Sequence, residues 1–155
     1  MQAIVKTAIA TVVSLCALGA SAGSIVDSDI RGDRAENKAT ATNSRAFQHL
    51  GVTFGSGQIK NSNVDARNAK NHAFGEDSVA HQDIGVATRG GTLDKVQIYA
   101  AYAHNDASGK GSRATQEIGK VSSGTMKNVN IYADHAYNQA SGKNSVAEQK
   151  IGVVN

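Results

Sequence analysis

Five histidines, His49, His72, His81, His104 and His135, are the side chains best suited to proton transfer near neutral pH or to metal ligation. Set against the internal period described below, no two of them share a repeat position. Stacking of repeats therefore does not gather them into one column, and solvated surface imidazoles are expected, with no metal site. Asp and Glu are scattered, so no pair is assigned as acid and base, and no G-x-S-x-G or similar nucleophile motif occurs. Arg31-Gly32-Asp33 spells an integrin-type tripeptide, which a charged first strand explains as well. Tyr99 and Tyr132 sit one period apart and are expected to stack as a structural aromatic pair. Neither enzymatic activity nor a cofactor is expected from this set.

The elements that carry these residues begin after residue 22. Residues 1–22, MQAIVKTAIATVVSLCALGASA, combine Lys6, an apolar run from Ala8 to Leu18, and the small residues Ala20-Ser21-Ala22. That is the pattern of a secretory signal peptide cleaved after Ala22, implying passage through the periplasm. Cleavage removes Lys6 and the only cysteine, Cys16, so the exported chain has no disulfide. The formal charge of +3 falls by one with Lys6. A balance so close to neutral argues against nucleic acid as a partner, and the remainder carries no apolar run for membrane insertion.

The remainder is one unit written four times, about 23–55, 56–89, 90–122 and 123–155. Leu50-Gly51, Ile84-Gly85, Ile118-Gly119 and Ile151-Gly152 recur at 33–34 residues. Upstream stand columns of Gln (Gln48, Gln82, Gln116, Gln149), Ser (Ser44, Ser78, Ser112, Ser145) and Asn (Asn37, Asn71, Asn105, Asn138). Alanine fills further columns, including Ala39, Ala73, Ala107 and Ala140. Within the unit the period is two, as in S-x-A-x-Q-x-I-G, which is strand alternation. The alternation slips between Ala100 and Ala103, marking a bulge or a corner. Gly75, Gly109 and Gly142 open a tight turn, with Ala41 in their place in the first unit. About three short strands per unit are expected.

A constant face of small and amide residues, repeated at this period, predicts an all-β fold: a β-solenoid of four stacked coils, one repeat per coil. Asn and Gln in register would hydrogen-bond along the stack as ladders. The variable face would meet solvent, where Glu117 and Lys150 could pair between neighbouring coils. An antiparallel meander of the same strands is the rival fold. Such a solenoid has two open edges, and no helical or proline-bearing cap is legible at either.

The unit resembles the repeats of bacterial functional amyloids of the curlin type. The resemblance rests on Gly142-Lys143-Asn144-Ser145-Val146-Ala147-Glu148-Gln149 and on the strand Asn130-Ile131-Tyr132. The Ile-Gly-Val step (Ile84-Gly85-Val86, Ile151-Gly152-Val153) is also similar to the biofilm amyloids of pseudomonads. This repeat is longer than the curlin one and lacks its first-strand glutamine. The resemblance implies a secreted subunit that polymerises head to tail with itself into extracellular fibres, served by export and nucleator proteins. In that reading the Gln, Asn and Ser columns are assembly ladders. The alternative is a monomeric or surface-tethered solenoid adhesin that binds glycan or host protein.

Overall fold

A computed structural model describes residues 24–153 except 54 and 56. The expected signal peptide, Phe54, Val154 and Asn155 lie outside the described residues. Among the described residues, sixteen strands follow one another in four identical rounds. The first coil holds β1 (Ser24–Val26), β2 (Asp29–Asp33), β3 (Glu36–Thr40) and β4 (Arg45–Leu50). The second holds β5 (Gln58–Lys60), β6 (Asn63–Arg67), β7 (Lys70–Phe74) and β8 (Val79–Ile84). The third holds β9 (Thr92–Asp94), β10 (Gln97–Ala101), β11 (His104–Ser108) and β12 (Arg113–Ile118). The fourth holds β13 (Thr125–Lys127), β14 (Asn130–Asp134), β15 (Tyr137–Ser141) and β16 (Val146–Ile151).

Equivalent strands stack into four parallel four-stranded sheets, ordered β1-β5-β9-β13, β2-β6-β10-β14, β3-β7-β11-β15 and β4-β8-β12-β16. The molecule is thus a β-solenoid, and the antiparallel rival is excluded. Register follows the sequence columns: Gln116 pairs with Gln82 and Gln149, and Asn105 with Asn71 and Asn138.

Four strands per coil replace the three expected. The slip in the alternation is a corner, made where Arg34, Asn68, Tyr102 and His135 take φ of 55, 52, 56 and 53°. One left-handed residue turns the chain sharply and splits a run that reads as continuous. The glycine of each Ile-Gly pair makes another corner: Gly85 has φ +68°, and a Cβ there would press on Ile98 Cδ1.

The interior has two unlike halves. One is aliphatic: Ile25, Ile59 and Leu93, then Val64, Ile98, Ile84, Ile118 and Val121, with Ile131 and Met126 packed on them. The other contains only alanine as its apolar part: Ala39, Ala46, Ala73, Ala80, Ala107 and Ala114, with Ala140 beside them. Small side chains let β11 and β12 approach closely, and the amide columns lie in that narrow half.

Candidate functional site

The amides cross-brace the narrow half and also run along the stack. Asn105 Nδ2 donates to the Thr115 carbonyl across its own coil, at 2.9 Å. Gln116 Nε2 donates back to the Ala103 carbonyl at the corner, at 3.0 Å. Along the stack Gln82 donates to Gln48 (2.5 Å), Gln116 to Gln82 (2.6 Å) and Gln149 to Gln116 (2.5 Å). Asn37 donates to Asn71 (3.0 Å), Asn71 to Asn105 (2.8 Å) and Asn105 to Asn138 (2.8 Å). The two ladders run in opposite senses. Gln82, Gln116 and Gln149 donate toward the first coil, and Asn37, Asn71 and Asn105 toward the last. Buried amides are satisfied this way at every interior level.

The serine column behaves differently. Ser112 Oγ donates to the Gly75 carbonyl at 3.2 Å and Ser145 Oγ to the Gly109 carbonyl at 3.0 Å, while Ser78 bonds the Gly75 carbonyl in its own turn. Ser44 donates to the Phe74 carbonyl of the following coil, at 3.2 Å. A hydroxyl has one proton and a short arm, so it satisfies a nearby turn carbonyl instead of reaching the next serine. The glycines of that turn are required by the stack. Gly75, Gly109 and Gly142 have φ of 129, 124 and 121°, and a Cβ on each would overlap the carbonyl oxygen of the coil before it. Ala41 belongs to the first described coil, which has no described coil beneath it.

Two edges are open among the described residues. Ile151 on the last coil is 48% exposed, whereas its column-mate Ile118 is fully buried. At the other end a depression between β3 and β4 is floored by Asn37, Gln48 and Leu50.

The outer face assembles what single columns do not. His81 and Asp83 alternate on β8, Glu117 stacks on Asp83 from β12, and His49 stacks on it from β4. His49 Nδ1 lies 2.9 Å from Asp83 Oδ2 and His81 Nε2 lies 2.9 Å from Oδ1. No two histidines share a column, as their spacing requires, but His49 and His81 are not simply solvated: neighbours on one sheet face also come from columns two residues apart, and the two meet at Asp83. Burial raises the Asp83 pKa, but the two imidazoles more than offset this and hold the carboxyl at about 2. Asp83 in turn raises His81 above the ordinary imidazole value, against its burial. Glu117 pairs with Lys120 at 2.6 Å and with Lys150 of the next coil at 3.7 Å.

A second outer group joins His72, His104 and Tyr137, ring edge to ring face, with centroids 5.0 and 4.7 Å apart. Burial and the neighbouring His72 lower the His104 pKa. Tyr99 and Tyr132 stack with centroids 5.0 Å apart, as their spacing suggests. The Arg-Gly-Asp tripeptide lies within strand β2, with Gly32 facing the interior against Leu50 and Arg31 paired to Asp29 at 2.6 Å. Comparison with protein-family models, with curated proteins and with solved structures finds no match to this chain.

Proposed function

We propose that the chain is an exported structural subunit that adds end to end into an extracellular fibre of the biofilm matrix or cell surface. The observation that carries this reading is the polarity of the amide ladders. At the last described coil, Gln149 Oε1 is an acceptor facing outward, and Asn138 Nδ2 has, among the described residues, no next-coil acceptor like the one Asn105 has. At the first described coil, Asn37 Oδ1 is an outward acceptor, and Gln48 Nε2 is an amide donor that would exchange its 3.2 Å bond to the Lys70 carbonyl for the junction. A second molecule placed with its first coil on this last coil continues both ladders, Asn138 to Asn37 and Gln48 to Gln149. A first-coil-on-first-coil contact reverses the winding of one coil and aligns neither. The expected signal peptide supports export, and the likeness of the repeats to curlin-type subunits supports dedicated export and nucleator partners.

Ala41 is the imperfect point of this junction. Its methyl would face the Gly142 carbonyl of the neighbouring molecule, the position that only glycine fills between coils of one chain. The corner must open locally there, which slows addition.

Incubation of the chain lacking residues 1–22 at neutral pH tests the proposal. The expected result is fibres in electron micrographs, thioflavin binding and a meridional reflection at about 4.7–4.8 Å. A chain that stays monomeric for days sinks it. The adhesin reading rests on the exposed rings of Tyr99, Tyr102, Tyr132 and Tyr137. A persistent monomer that binds glycans through these tyrosines would favour it instead.

A further inference from the structure

We propose that His81, Asp83 and Glu117 form a binding site for a divalent transition-metal cation on the outer face of the second and third coils. Their ligand atoms all lie within 4.8 Å of one another. The two carboxylate side chains are only 8% and 6% exposed, yet His81 at 26% keeps the group open to solvent on one side. Asp83 and Glu117 stack at adjacent levels, with His49 beside the first and Lys120 beside the second.

Asp83 Oδ1 supplies the second observation. It is buried, and His81 Nε2 lies 2.9 Å from it. That separation suits two neighbouring ligands on one cation, with bonds of about 2.0–2.2 Å to each. One imidazole and two carboxylates are the donor set of zinc and similar borderline cations, not of calcium. His49 Nδ1, bonded to Asp83 Oδ2 at 2.9 Å, orients the carboxylate from behind, the usual support for a ligating group. Lys120 holds Glu117 Oε2 at 2.6 Å, so the metal takes Oε1. Lys150 lies 3.7 Å from Oε1 but 2.7 Å from Glu148, and it withdraws to that partner. These ammonium groups weaken the site, and the affinity falls short of a structural zinc centre.

All three ligands lie within one chain, so the site does not depend on assembly. Isothermal titration of the protein with zinc chloride, and cobalt substitution followed by visible absorption, test it. One zinc per chain is expected to bind saturably, with cobalt giving ligand-field bands. His81→Ala and Glu117→Gln should each weaken binding at least about tenfold, with the strand circular-dichroism signal retained. His135→Ala, on a different corner, should leave binding unchanged. Absence of saturable binding below millimolar zinc would overturn the proposal. So would binding that survives both ligand variants, or that is lost with His135.

Discussion

The two halves of each coil hold the stack by different means. In the aliphatic half one column reads Ile25, Ile59, Leu93, Met126, and another Ile30, Val64, Ile98, Ile131. In the narrow half the columns do not vary at all: four Asn, four Gln, and four Ala beside each. Burial of apolar area has no direction and accepts any side chain of similar volume. An amide that bonds one carbonyl across the coil and another amide along the stack accepts no substitute. The aliphatic half supplies the large buried apolar side chains, and the amide half specifies the register in which they are buried.

The most damaging change should be at the corner of the narrow half. Gly109→Val places a branched side chain on the Gly75 carbonyl at φ 124°. A loss of more than about 4 kcal/mol is expected, read in urea melts as separate unfolding of the first two coils from the last two. Gln116→Leu preserves volume but strands Gln82 Oε1, and it takes one of two partners from the Ala103 carbonyl, which keeps the Tyr137 N–H, and from Gln149 Nε2, which keeps the Ala136 carbonyl. It should cost about 3 kcal/mol. Asn105→Ala should cost about 2 kcal/mol in the monomer and Asn138→Ala about half that, because Asn138 lacks a partner on one side. In fibres the difference should vanish, and hydrogen exchange of the two variants checks this. Ile98→Val, a residue its own column already holds at Val64, should cost about 1 kcal/mol. If it cost as much as Gln116→Leu, the contrast between the halves would be wrong. Ala41→Gly should change stability least, by less than about 1 kcal/mol, while shortening the thioflavin lag.

The solenoid was legible because its columns repeat identity, and in-register parallel stacking is the arrangement that gives each column one environment. The amide ladders were legible for the same reason. The corner at Tyr102 was legible only as a slip in the alternation that left bulge and corner open, since its column reads Arg, Asn, Tyr and His, and a single left-handed residue leaves no compositional mark when glycine is absent. The serine bonds were missed because identity in a column does not tell whether its members bond each other or the backbone between them. The His81, Asp83 and Glu117 cluster was missed by looking down columns only. It lies diagonally, two residues along a strand and one level up, and the signal was His-x-Asp in one repeat beside Glu in the next.

The opposed ladders also bear on how a long stack behaves electrically. Glutamine side chains point their C=O dipoles one way along the axis and asparagine side chains the other. Their fields cancel level by level. A long α-helix accumulates an axial dipole with partial charges at its ends; this scaffold adds levels without charging its tips through its side-chain amides. The last coil of a long fibre would therefore present the same potential to an incoming chain as the last coil of a single molecule.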